Sequence, residues 1–218
     1  MLISFWWQYL VLFVVSYLVG NFCAAFVLSK KIFRKDIRDL GSKNPGTTNM
    51  SRVYGIKYGI ATFLIDCFKA MICVAAAKII FTGSGGEDAG TLGSLIAGLS
   101  VILGHNYPVV LGFKGGKGFA SAIGVFLVVN PVFTAIILSV GIIVLFIVDR
   151  MSVCALAFFA LQVIYYLFTV SEQYWWITTF AAIYLLLAII AHWPNVVRLF
   201  HGEEKTLGLR KKLKLKRG

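Results

Sequence analysis

Acid is scarce in this chain: nine Asp and Glu stand against 21 Lys and Arg, a formal net charge of +12 over 218 residues. Nowhere do His, Cys, Asp and Glu gather at metal-ligand spacing, so no metal site is expected. Cysteine is sparse too. Cys23, Cys67, Cys73 and Cys154 all fall in apolar runs and none is spaced as C-x-x-C, which makes them small buried hydrophobes rather than disulfide partners or a redox pair. Alternating strand patterns are missing from the interior, which argues against a β-barrel. The first apolar run has no basic segment before it and no small-residue cleavage site after it, so it is expected to be a retained span and not a signal. A P-loop is missing as well. G-x-x-x-x-G-K-[ST] would need glycine where Leu111 stands and Ser or Thr in place of Gly118, which removes the best support for ATP or GTP binding.

What fills the chain is apolar: 59% of residues are hydrophobic, which excludes an ordinary soluble domain. The runs occupy 5–28, 54–81, 90–104, 119–129, 131–148, 152–170 and 174–192. Taken as one helix, 119–148 would be about 45 Å long against a hydrocarbon core of about 30 Å, and Asn130-Pro131 is a natural break. Charge favours the division. Loop 29–53 carries seven Lys and Arg, and the chain after Trp193 carries eight; Lys114, Lys117 and Arg150 lie in further connections, while 82–89, 130 and 171–173 carry none. Seven spans put every basic connection on one side. The expected fold is an all-α integral membrane protein, one membrane-embedded domain over 1–218. It has seven transmembrane helices, one or two of them short, with the N-terminus outside, the C-terminus cytoplasmic and active-site loops at the cytoplasmic face. Topology and contact with anionic membrane lipid then explain the positive charge, with no nucleic-acid partner. Ser29–Gly41 is expected to form an amphipathic helix on the cytoplasmic surface, and the low-complexity tail 205–218 to touch anionic lipid.

Three polar clusters interrupt the apolar runs, all on the expected cytoplasmic side. GSKNPGTTNMSR, Gly41 to Arg52, offers hydroxyls, amides and turn backbone from Ser42, Asn44, Thr48 and Asn49, with Arg52 at its end, a composition suited to cradling an anion. GHNYPVVLGFKGGKGFA, Gly104 to Ala120, contains His105, Lys114, Gly115, Gly116, Lys117 and Gly118. Its glycines allow close backbone approach, and a helix starting near Gly118 would aim its N-terminus at a bound anion. HWPNVVRLFHGEEK, His192 to Lys205, closes the last span with His192 and Asn195 in reach of a site, and Glu203 and Glu204 are its only carboxylates. Inside the second span, Asp66 and Lys69 lie three residues apart on one helix face, either as a structural ion pair or as support for site residues. Ser152 begins the sixth span on the same side. Cations and donors with few carboxylates imply a small anionic ligand at the membrane surface.

These segments, in this order, resemble the motifs of the bacterial PlsY-type glycerol-3-phosphate acyltransferases: GSKNPGTTN, GHNYPVVLGFKGGKG, and a third carried by His192, Asn195, Arg198, Leu199, Gly202 and Glu204. Lys43 stands where the family has Gly, Thr47 where it has Ala, and Pro194 lies inside the third motif. The resemblance implies transfer of a fatty acyl group from acyl phosphate to the 1-hydroxyl of sn-glycerol 3-phosphate. The products would be lysophosphatidic acid and phosphate, in the first acylation step of phospholipid synthesis. It implies a multi-pass enzyme of the bacterial cytoplasmic (inner) membrane, no cofactor, and functional coupling to the enzyme that makes acyl phosphate. The His-x-x-x-x-Asp dyad of acyltransferases with soluble donors is missing, since Val110, Val197 and Thr206 occupy the Asp position after His105, His192 and His201. Ser42, Lys117 and His192 are the expected catalytic residues. Asn44, Thr48, Asn49, Arg52, His105, Lys114, Gly115, Gly116, Gly118, Ser152 and Asn195 are expected to bind substrate phosphate, supported by Asp66, Lys69 and Glu204. Three routes for the acceptor hydroxyl stay open: proton transfer to the donor's own phosphate, His192 as general base, or Ser42 as an acylated nucleophile. The alternatives to an enzyme are an organic-phosphate transporter and a lipid-binding scaffold that uses the basic tail.

Overall fold

Backbone amides and carbonyls cannot stay unpaired in hydrocarbon, and the apolar runs of this chain meet that demand as α-helix. The computed structural model describes residues 6–208. Eight helices follow in order: α1 (Trp6–Gly20), α2 (Ala24–Phe33), α3 (Thr47–Tyr54), α4 (Ile56–Asn106), α5 (Phe119–Val129), α6 (Pro131–Val148), α7 (Met151–Thr169) and α8 (Trp175–Phe200), with short 3-10 turns at Ile37–Asp39, Val109–Leu111 and Glu172–Tyr174. Among the described residues, five helical tracts are long and apolar enough to cross a membrane. Large side chains such as Ile79, Val132 and Phe168 lie exposed along them, a pattern that lipid tolerates and water does not. This is an all-α integral membrane protein.

The helix boundaries have local causes. Gly118, with φ 77°, begins α5, and Asn130-Pro131 separates α5 from α6. The tract labelled α4 has 51 residues, about 77 Å if straight, but Gly86 (φ 82°, ψ −177°) breaks it. Beyond Gly86 the chain folds back, so that Gly93 lies against Phe81 and Gly90 against Thr82.

The chain divides into two compact units, Met1–Pro131 and Val132–Gly218. In the first, α4 packs on α1, α3 and α5. Without a hydrophobic driving force between helices, close packing needs small residues. A side chain on Gly20 would fall on the carbonyl oxygen of Val101, one on Gly104 on that of Tyr17, and one on Gly124 on that of Cys67. Polar ties reinforce the α1–α4 seam. Tyr17 Oη donates to the Tyr107 carbonyl at 2.7 Å, Ser100 Oγ to that of Phe13, and Tyr9 stacks on Phe81 with ring centroids 4.4 Å apart. In the second unit, α7 packs on α8 around the buried rings of Phe158, Phe159 and Tyr184, and Gln162 Nε2 donates to Thr134 Oγ1 of α6 at 3.3 Å.

Three expectations need adjustment. The first apolar run is two helices, because the chain leaves the helix at Asn21–Cys23. No separate amphipathic helix covers 29–41. Residues up to Phe33 continue α2, Arg34 turns left-handed (φ 55°), and only a 3-10 turn follows. α8 does not stop at His192. It runs through Pro194 to Phe200, so most of the third motif is helix rather than loop. Most of the basic tail, 209–218, lies outside the described residues.

The seam predicts an asymmetry between glycines. Gly104→Ala should force α1 from α4 and lower the melting temperature in detergent by several degrees. Gly141→Ala, on α6 with nothing near its side-chain position, should leave it unchanged within error. Equal effects would show that close approach at Gly104 does not limit stability.

Candidate active site

In the first unit, two loops are built on the ends of helices. The loop before α3 is shaped by Asn49, which is only 1% exposed. Its Oδ1 accepts from the Ser42 backbone amide at 2.8 Å, and its Nδ2 donates to the carbonyls of Leu40 (2.9 Å) and Ile37 (3.3 Å). The Asn49 amide therefore organises the loop's backbone, which differs from the phosphate contact expected of it. Ser42 and Arg52 are exposed around it, with Asn44 and Thr48 half-buried. Two departures from the family pattern leave local marks. Lys43, standing for Gly, adopts φ 61°, a left-handed conformation that costs a non-glycine residue about 1–2 kcal/mol. The hydroxyl of Thr47, standing for Ala, is buried with no hydrogen-bond partner among the described residues.

The glycine loop is pinned to the end of α4. The amide of Gly115 donates to the Asn106 carbonyl at 3.1 Å and that of Gly116 to the His105 carbonyl at 2.9 Å. A side chain on Gly115 would collide with the His105 and Asn106 carbonyls, and one on Gly116 with the His105 ring. Lys114 is exposed and Lys117 half-buried, and α5 starts at Gly118, which has no side chain to cap it, so the helix dipole adds to the positive field. Arg38 joins the two loops. Its guanidinium pairs with Asp36 at 2.9 Å and donates to the Leu111 carbonyl at 3.0 Å. Sequence reasoning passed over Arg38, because one basic residue in a charged loop gives no sign of a partner 73 positions away.

Beneath the glycine loop lies a buried ionic cluster. Lys69, 8% exposed, and Asp66, 1% exposed, pair at 2.8 Å, and Lys69 Nζ reaches His105 Nδ1 at 3.0 Å. The same ammonium donates to the carbonyls of Phe22 (2.6 Å) and Gly20 (3.3 Å), where α1 ends and its last acceptors lose their helical partners. Asn106 is a further residue that sequence reasoning missed. It lies under Gly118, and neither polar atom of its buried side chain has a hydrogen-bond partner among the described residues. Its place next to His105 was the available signal.

In the second unit the carboxylate of Glu204 gathers donors. Ser152 Oγ (2.9 Å) and Asn195 Nδ2 (2.6 Å) donate to its Oε1, and Arg198 Nε (2.9 Å) to its Oε2. Two of the residues expected to bind phosphate therefore share an internal carboxylate. Arg198 was visible in the third motif, but its contact with Glu204 depends on the turn after α8. Burial works against the charged form of Glu204, but the hydrogen bonds from Asn195, Ser152 and Arg198, together with the guanidinium charge, outweigh it and hold the carboxyl below its ordinary value. His192 lies one turn before Asn195 on α8, and its Nδ1 donates to the Ala188 carbonyl at 2.9 Å. In the neutral ring this puts the lone pair on Nε2.

The sequence profile of the glycerol-3-phosphate acyltransferase family matches residues 10–202. The chain belongs to that family. This acyltransferase is 39% identical to the glycerol-3-phosphate acyltransferase of Finegoldia magna, over 91% of its own length and 96% of the relative's. It is 34% identical to that of Clostridioides difficile, covering 94% and 98%. Among solved structures it resembles the glycerol 3-phosphate form of PlsY (YgiH), an integral membrane glycerol 3-phosphate acyltransferase, with a TM-score of 0.81 and 30% identity over 94% of this chain and 98% of that one. The lysophosphatidic acid form of PlsY aligns with a TM-score of 0.78 and 29% identity, covering 91% and 95%.

Two predictions follow from this geometry. Gly115→Ala should lower kcat/KM at least about a hundredfold, the scale expected when reacting groups are displaced by about 1 Å, because the His105 and Asn106 carbonyls and the rigid Pro108 ring stand in the way of the new methyl group. Wild-type kinetics would mean that the loop's position is not critical. Glu204→Gln should lower the melting temperature at pH 7. A carboxyl that titrates lower in the folded than in the unfolded chain stabilises fully above its ordinary value of about 4.3, and the gain is lost as pH falls through the folded value. The gap between variant and wild type should therefore close toward acid. A gap independent of pH would rule out charge as its source.

Proposed function

We propose that this acyltransferase moves a fatty acyl group from acyl phosphate to the 1-hydroxyl of sn-glycerol 3-phosphate, releasing lysophosphatidic acid and inorganic phosphate. The observation that carries this reading is the glycine loop. Its backbone is fixed to α4 at Gly115 and Gly116, it bears Lys114 and Lys117, and it leads through Gly118 into the N-terminus of α5, in a chain similar to a PlsY structure with glycerol 3-phosphate. Both proposed substrates carry phosphate, together about three to four negative charges near neutral pH by analogy with other phosphomonoesters. Fixed cations and amides are what bring them together.

In the first unit, Lys117, Lys114 and the loop amides bind phosphate, Arg52 and the Ser42–Thr48 loop offer further donors, and Asn49 shapes that loop. In the second unit, Asn195 is a phosphate ligand organised by Glu204, and Ser152, whose one hydroxyl proton goes to Glu204, helps fix that carboxylate. The hydroxyl of glycerol 3-phosphate adds to the acyl carbonyl. Donors of the Ser42 and glycine loops stabilise the tetrahedral oxyanion. The carbon–oxygen bond to phosphate breaks, and phosphate leaves with the electron pair. The acyl phosphate is already an activated anhydride, so orientation supplies much of the acceleration. The donor's own phosphate takes the hydroxyl proton, and His192 and Ser42 need not act as base and nucleophile. The setting we propose is a single domain of seven spans with N-terminus outside, in the bacterial cytoplasmic membrane. The break at Gly86 supports this count, since it divides the longest tract in two. Acyl phosphate must come from a separate enzyme, to which this one would be functionally coupled.

The purified protein, supplied with sn-glycerol 3-phosphate and chelator, should make lysophosphatidic acid from palmitoyl phosphate and none from palmitoyl-CoA. Lys117→Ala should lose about 10²–10³-fold in kcat, the scale of a lost oxyanion or phosphate donor. His192→Gln should keep a near-normal turnover number, and rapid quench should trap no acyl-enzyme. Product from palmitoyl-CoA alone would overturn the donor assignment.

A further inference from the structure

Lys69 touches neither the glycine loop nor any atom assigned to the reaction, yet it is the point where three pieces of the first unit meet. An ammonium group has three protons and no lone pair, so it can only donate. Four acceptors share its three protons: Asp66 Oδ1 at 2.8 Å, His105 Nδ1 at 3.0 Å, the Phe22 carbonyl at 2.6 Å and, longest, the Gly20 carbonyl at 3.3 Å. A donor facing Nδ1 requires that nitrogen to be the acceptor, which leaves the ring proton on Nε2. The competing contact, Asp66 Oδ1 to His105 Nδ1, is longer at 3.5 Å. The Nε2 edge of the ring lies against Gly116, filling the space a side chain there would take, and the His105 carbonyl accepts from the Gly116 amide at 2.9 Å.

We infer that Lys69, held by Asp66, is a positioning residue for the glycine loop: it locks His105 as the neutral Nε2–H tautomer in one ring orientation and so fixes where Gly115 and Gly116 stand at the N-terminus of α5. The ammonium holds the imidazole, the imidazole edge and carbonyl hold Gly116, and the loop's amides keep one geometry before any anion arrives. The inference rests on the reading of the loop as the phosphate-binding element. Loss of Lys69 should therefore weaken binding of the phosphate-bearing donor more than it slows the chemical step. It should also change which ring nitrogen of His105 is protonated. With Lys69 removed, the nearest partner of Nδ1 is the Asp66 carboxylate, which can only accept, and the proton moves to Nδ1.

The test uses the full chain labelled with ¹⁵N-histidine in detergent. There are three histidines, and His105→Gln assigns the signal. Wild type should show Nε2 protonated and Nδ1 bare, and Lys69→Met should show the reverse. KM for palmitoyl phosphate in Lys69→Met should rise about tenfold or more while kcat changes less. Lys69→Arg, which keeps a donor-only cation, should retain the wild-type tautomer and recover part of the KM. Nδ1–H in the wild type overturns the inference whether or not any variant folds. An unchanged tautomer and KM in Lys69→Met would overturn it as well. A wild type that makes no product from acyl phosphate would instead sink the functional reading and leave the tautomer result standing.

Discussion

Leaving the helix inside an apolar run exposes amides and carbonyls that hydrocarbon cannot satisfy, and two exits in the first unit are met by specific partners. Where α1 ends, the Lys69 ammonium takes the carbonyls of Gly20 and Phe22. Where α4 ends, the glycine loop returns its own amides to the carbonyls of His105 and Asn106. The ionic cluster of Asp66, Lys69 and His105 lies between these two exits. A charged group there is costly unless paired, and this one supplies the backbone contacts that irregular structure needs. In the first unit the loops proposed to bind phosphate are built on such breaks, where backbone donors lie outside the helices.

The two units treat charge in opposite ways. In the first, cations line loops in which Asp36 and Asp66 are bound to Arg38 and Lys69, and Lys114 and Arg52 are exposed to incoming anions. In the second, the site carries its own anion, and Glu204 holds Ser152, Asn195 and Arg198 in one arrangement. The carboxylate costs desolvation but keeps three donors converged, which loose side chains on α7 and α8 would not do unaided.

Much of this was legible in the sequence, because the signals were local. Asn130-Pro131 and Gly118 mark helix ends through their own dihedral limits, and the Asp66–Lys69 spacing announced a pair on one helix face. What failed to show depended on context. Pro194 usually argues for a helix end, but α8 continues through it, and the third motif became a helical face. The amphipathic pattern after Ser29 was real, yet Arg34 leaves the helix. Asn49 looked like a ligand by composition, and only the fold shows its amide committed to Leu40, Ile37 and Ser42. No one-dimensional pattern predicts that Arg38 meets the Leu111 carbonyl.

The turn at Gly86 bears on how the protein is made. Few residues other than glycine accept φ 82° with ψ near 180°, and helix lies on both sides of it. A nascent chain emerging into a bilayer thus meets one residue that decides whether 51 residues enter as a hairpin or as a rod. A rod of that length exceeds any bilayer, and every later segment would be threaded in the wrong direction. In the seven-span arrangement proposed above, the direction in which every later segment crosses would rest partly on this one missing side chain, in addition to the lysines and arginines of the loops.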